Sequence, residues 1–200
     1  TIPRYVAARR PGTQQVVCEP DADLVAEVRR LMPLPQRSGI RVRVTPGREG
    51  LEEMPPAYFD ALVLDAFDGP RVPASLATGD FLDEVAARRR PGAVFVANVT
   101  DRAPFAWARR FGAAVRDVHR SMLVSAETAV WKGRRFGNLV FVAADGPLPA
   151  TDLSRHAARA AFPYRYLTGR EVADWIGGAE PFSDAEPQPS PVPRRGTWFS

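Results

Sequence analysis

Tyr58-Phe59-Asp60-Ala61-Leu62-Val63-Leu64-Asp65-Ala66-Phe67-Asp68-Gly69-Pro70 reads as a strand running into a polar loop. Ala61 to Leu64 is a short apolar run, the pattern of a parallel strand covered on both faces. Ligands of open parallel sheets bind beyond the carboxyl ends of the strands, which directs attention to Asp65 and Asp68 just after the run. In a tight loop these two carboxylates can converge on one cationic group and accept its proton. They can also form Asx-type turns into Gly69-Pro70.

The same alternation of elements extends in both directions. Upstream, Pro3 suits the first turn of a helix continuing through Arg10, and Gln14 to Glu19 is a β-branched run. Asp21 and Asp23 can cap a helix whose Leu24, Val25, Val28, Leu31 and Met32 form an apolar stripe. Ile40 to Val44 alternates apolar residues with arginine, and Pro46-Gly47 forms a loop. Downstream, Thr78 or Asp80 caps a helix over Phe81, Leu82, Val85 and Ala86; Pro91-Gly92 leads into the strand Ala93 to Ala97; a helix runs from about Pro104 to Val118. Ser121 to Ala126 and Asn138 to Ala144 are two strands with no helix between them, predicting an antiparallel pair at one sheet edge. Thr151 to Ala161 and Thr168 to Ile176 read as helices. The expectation is an α/β domain over residues 1–179, mostly parallel with one reversed edge strand, followed by a Pro-rich tail over 180–200.

Composition fits one such domain: 200 residues, 45% hydrophobic and 25% charged. The net charge of +4 and pI of about 9.8 come almost wholly from arginine, Lys132 being the single lysine. The arginines are scattered and mostly close predicted helices, where cations complement the macrodipole, so no nucleic-acid partner is expected. The lone Cys18 permits no intramolecular disulfide, and no apolar run reaches transmembrane length. A cytoplasmic protein without a membrane partner is expected. His119 and His156 have no Cys or carboxylate at metal-ligand spacing, so no metal is expected.

Two more strand ends carry polar groups. Glu19 stands where a carboxylate can take the two ribose hydroxyls of a nucleotide, or simply cap a turn. Asn98 and Asp101 follow the Ala93 run. The hairpin loop Trp131-Lys132-Gly133-Arg134-Arg135 could overhang the same edge, its arginines holding an anionic group or standing solvated.

Together PRYVAARRPGTQQVVCEPDADLV, YFDALVLDAFDGPRVPASLATGDFLDEV and RRFGNLVFVAA resemble the polyamine aminopropyltransferase family, especially its divergent bacterial spermidine synthase-like members. The second segment is similar to the family's Y-D-x-I-x-x-D-x-x-D-P pattern. The resemblance implies a Rossmann-like, S-adenosylmethionine-dependent methyltransferase fold. It also implies that the chain begins inside the nucleotide-binding unit, after the family's glycine loop and first strand. The implied reaction moves an aminopropyl group from decarboxylated S-adenosylmethionine to an amine. Glu19, Gly47 and Asp65 would then serve the co-substrate, Asp65 and Asp68 the chemistry, and Asp68, Asn98 and Trp131 the amine. Two departures follow: Pro46 stands where the family has an aspartate near the adenine, and WKGRRFGN replaces its tyrosine-containing loop, bringing cations toward the amine. Methyl transfer to another substrate and a catalytically silent nucleotide-binding or dimerising module stay open, as does a homodimer.

Overall fold

The computed structural model describes residues 2–157 and 164–193. They fall into two compact units, residues 1–54 and 55–200, where the sequence suggested one domain over 1–179.

In the first unit, α1 (Ile2–Arg9) precedes β1 (Gln15–Cys18), α2 (Ala22–Leu31), β2 (Ile40–Arg43) and α3 (Gly47–Glu52). β1 and β2 pair in parallel from Gln15↔Ile40 to Cys18↔Arg43, with α2 as the crossover that a parallel pair requires. Asp21 caps α2 as expected, its carboxylate accepting from Leu24 N at 2.9 Å. Of the α2 stripe only Val25 is buried; Leu24, Val28, Leu31 and Met32 stay exposed. Two four-residue strands offer too little surface to cover the rest. α3 was not expected, because six residues are too few to display a helical period. It lies close against β1: a Cβ on Gly50 would stand 2.4 Å from Cys18 Sγ.

The second unit is built on β3 (Phe59–Leu64), α4 (Gly79–Arg88), β4 (Arg89–Asp101), α5 (Ala106–Val118), β5 (Ser121–Glu127) and α6 (Thr128–Trp131). It continues through β6 (Gly137–Ala144), α7 (Ala150–Ala157), β7 (Tyr164–Thr168) and α8 (Arg170–Ile176). Strand order is β3-β4-β6-β5-β7. β3 and β4 are parallel, whereas β4-β6, β6-β5 and β5-β7 are antiparallel. The expected β5-β6 hairpin is present, but it does not end the sheet. β7 adds a further strand where the sequence suggested only helices, so two strands, not one, run against the others. The short helix α6 occupies part of the hairpin connection. Residues 158–161 of the helix expected from Thr151 lie outside the described residues.

The core forms where α5 meets the sheet. Trp107 stacks on Phe111 at 5.6 Å, and Phe111 meets Phe141 of β6 edge-on at 5.2 Å. Gly112 permits this approach, since a Cβ there would lie 3.2 Å from Phe141 and 3.3 Å from Ile176. Thr78 caps α4 through Phe81 N at 3.1 Å. No helix of the described residues is long and apolar enough to cross a membrane.

The stretch expected to be a tail is held on this unit as far as Ser190. Phe182 is 2% exposed, tilted against Trp107, with the Arg110 guanidinium 4.0 Å from its ring centroid. Its carbonyl accepts from Gly79 N at 2.7 Å, Thr78 Oγ1 donates to Asp184 at 2.7 Å, and Trp107 Nε1 donates to Gln188 O at 2.9 Å. Prolines preclude regular ladder bonding but not an extended strap held by its other residues. Residues 194–200, with Trp198 and Phe199, lie outside the described residues.

His119, just beyond α5, is buried and stacked on Phe95, with Nδ1 2.9 Å from Val115 O. Burial pushes its pKa below the usual imidazole range, and Arg89 adds to this against the opposing Val115 bond and Asp145. The unfolded chain takes up this proton near pH 6.5, the folded chain only at lower pH. Its stabilising contribution is therefore complete above about pH 6.5 and lost as the pH falls toward the folded value. His119→Asn is expected to flatten the acid side of the stability profile measured by urea unfolding; an unchanged slope would assign the dependence elsewhere.

Candidate active site

The apolar run of β3 ends at Leu64, which is buried, and the chain turns polar at the next residue. Asp65 thus stands at the carboxyl end of a parallel strand. Its neighbour β4 carries Asn98, whose Nδ2 donates to Asp65 Oδ1 at 2.9 Å. Across β6, Asn138 Nδ2 donates in turn to Asn98 Oδ1 at 2.8 Å. Asp65 Oδ2 has no partner among the described residues, and Asp65 is exposed.

The loop beyond Asp65 closes by backbone bonds: Asp68 N donates to Arg71 O at 2.8 Å and Arg71 N to Asp68 O at 3.1 Å. Gly69 adopts φ 55°, which a side chain would resist. Neither carboxylate is used as an Asx cap. The Asp68 side chain has no hydrogen bond or ion pair among the described residues and is exposed. The far end of the loop is fixed by β4 and the strap. Thr100 Oγ1 donates to Pro70 O at 3.2 Å, Val72 N donates to Ser190 Oγ at 2.8 Å, and Ser190 N donates to Val72 O at 3.1 Å. Ser190 is 0% exposed.

Asp101 ends β4 but points inward. Its carboxylate accepts from Arg102 N at 2.7 Å and Ala108 N at 2.9 Å, tying down the start of α5. Burial nevertheless holds its carboxyl above the usual range, outweighing the lowering by those backbone N–H groups and by Arg102. This is a structural carboxylate rather than a member of the open loop.

In the hairpin, Trp131 is half-buried between Phe105 and Trp175 at 5.4 and 5.6 Å, and its indole N–H donates to Arg165 O at 3.0 Å. Arg135 is paired with Glu127, while Arg134 is exposed. In the first unit, Glu19 follows β1 and Gly47 opens α3 after β2, so both stand past the ends of parallel strands. Glu19 Oε1 accepts from Asp21 N at 3.1 Å, and Pro46 gives no side-chain cap.

Asn98 bonds Asp65, and Asp68 lies three residues farther along the same loop. Asn138, Thr100 and Ser190 were missed. Alternation places Asn138 and Val140 on one face of β6, but the register that sets Asn138 against Thr100, one step along that face from Asn98, is not written in either segment alone. Among the described residues no three His, Cys, Asp or Glu side chains group as a metal site. A cavity of about 660 Å³, lined by Arg89, Arg116, His119, Arg120 and Asp145, lies at the opening end of β4, away from Asp65.

No family model matches the sequence, and neither does any curated protein. Solved structures do. A probable spermidine synthase from Corynebacterium glutamicum is 26% identical, with a TM-score of 0.86 over 92% of this chain and 68% of its own. Spermidine synthase from Thermotoga maritima is 18% identical, with a TM-score of 0.54 over 82% of this chain and 57% of its own. Human methyltransferase-like protein 13, in complex with SAH, is 16% identical, with a TM-score of 0.61 over 92% of this chain and 80% of its own. The last two show the fold alone, a Rossmann-like architecture of the methyltransferase type with a mixed sheet.

Proposed function

As a spermidine synthase-like chain on this transferase fold, the protein is, we propose, an aminopropyltransferase that uses decarboxylated S-adenosylmethionine and an amine acceptor. The observation that carries the reading is Asp65. It is an exposed carboxylate at the end of a parallel strand, with Oδ1 held by Asn98 and, among the described residues, Oδ2 open and Asp68 of the same loop unpaired. An aliphatic amine is protonated near neutrality and cannot attack carbon in that state. Asp65 binds the ammonium and takes its proton, and Asp68 adds charge that holds it. The freed nitrogen pair forms the new C–N bond as the C–S bond breaks. The sulfonium sulfur keeps the electron pair of the broken C–S bond and leaves as the thioether 5′-methylthioadenosine. The remaining work is largely positioning. The resemblance assigns the ribose to Glu19 and the adenine to Gly47, and Pro46 supplies no side-chain acceptor.

One observation favours a second reading. Arg134 is exposed in the connection leading to Asn138, and a cation there disfavours a polycationic acceptor. Methyl transfer from S-adenosylmethionine to a less basic acceptor fits that loop better.

Calorimetry on the full-length protein with 5′-methylthioadenosine and S-adenosylhomocysteine, followed by product analysis with a diamine, tests both. Binding with formation of the aminopropylated amine supports the first reading; methylated product alone supports the second. Absence of binding to either nucleoside would indicate a silent module.

A further inference from the structure

We propose that Asn138 is a positioning residue for Asp65, acting through Asn98 in a hydrogen-bonded chain that crosses from β6 over β4 to the end of β3. The inference rests on the reading that Asp65 receives the amine, and it adds a residue to that site.

The direction of the chain follows from its end. A carboxylate has no hydrogen to give, so the amide group that faces Asp65 is the Nδ2 of Asn98, at 2.9 Å. The planar amide then turns its oxygen the other way, toward β6. That oxygen needs a donor, and Asn138 Nδ2 supplies one at 2.8 Å. Asn98 is thereby committed on both sides. Its role shifts from contact with substrate to holding one oxygen of Asp65, which leaves Oδ2 as the oxygen that meets an ammonium. Without the donor on Asn138, Asp65 alone selects the Asn98 orientation, and the far side of the amide is left unheld. An acceptor at 138 would favour the reverse orientation, which sets the Asn98 oxygen against the carboxylate.

Register makes the arrangement rigid. β4 and β6 pair from Val94↔Ala144 to Asp101↔Gly137 without interruption, and Asn138 lies opposite Thr100. Thr100 is the residue that also holds Pro70 O, so β4 grips the catalytic loop at its start through Asn98 and near its end through Thr100. Asn138 acts on the first of these grips.

Two variants test this, Asn138→Ala, which removes the donor, and the near-isosteric Asn138→Asp, which replaces it with an acceptor. Asn138 is exposed, so both are expected to fold. The side-chain amide resonances of Asn98, assigned by their loss in Asn98→Ala, are expected to shift in both variants, with hydrogen exchange faster by about fivefold. Unchanged Asn98 resonances in both would overturn the proposal. In amine transfer, kcat is expected to fall by about tenfold or more, with KM for the amine within about twofold. A raised KM at constant kcat would instead make Asn138 a direct substrate contact and overturn the positioning role. If the unsubstituted protein transfers nothing, the aminopropyltransferase reading fails, while the Asn98 resonances still decide the chain.

Discussion

Asp65→Asn is expected to reduce aminopropyl transfer by on the order of 10²-fold or more while leaving the fold intact. The substitution keeps the shape of the side chain, and its oxygen can still accept from Asn98 Nδ2, so the contact from β3 to β4 survives. What disappears is the negative charge that balances an ammonium and the basic oxygen that takes its proton. Asp68→Asn should be milder, because that carboxylate contributes charge without receiving the proton. The turn between Asp68 and Arg71 is closed by backbone bonds and is indifferent to the exchange. If the two carboxylates served only the loop, both variants would keep full activity. Steady-state transfer rates and thermal unfolding on the same two proteins separate the cases, and unchanged transfer in Asp65→Asn would retire its catalytic assignment.

Phe182→Ala should cost about 3–5 kcal/mol of stability, the usual range for removing a buried phenylalanine. The ring is 2% exposed and lies between Trp107 and the Arg110 guanidinium, a segment far in sequence from both. Truncation leaves a void beside Trp107 and removes the cation–π contact. Val192, 42% exposed on the same strap, provides the control, and Val192→Ala should stay within about 0.5 kcal/mol. Denaturant unfolding measures both. A cost below about 1 kcal/mol for Phe182→Ala would mean that the strap is not part of the core.

Several elements were legible because their signal is local. The Asp21 and Thr78 caps, the stripe of α4, the apolar run of β3 and the paired strands β5 and β6 each carry their pattern within a dozen residues. The position of Asp65 at the end of β3 was legible for the same reason, as an acidic residue placed directly after an apolar run. β7 was not, because Tyr164-Arg165-Tyr166-Leu167-Thr168 is short and leads straight into the helix that was recognised. The strap was misjudged because proline density excludes helix and central strand but does not prevent docking. What holds it is one aromatic ring, a few side-chain bonds to residues such as Thr78, Asp80 and Trp107, and backbone bonds to Gly79 and Val72. Asn138 was invisible for a related reason: its partner is chosen by register, a property of two strands and not of either.

The strap also constrains the order in which the molecule can be completed. Val72 waits for Ser190 across 118 positions of chain. During synthesis from the amino terminus, β3 and its acidic loop emerge early, yet the two bonds between Val72 and Ser190 form only after Ser190 has left the ribosome. Contacts of such separation close late and slowly. A nascent chain halted after β7 would therefore hold every strand of the sheet, with its acidic loop gripped by β4 alone and not yet by the strap.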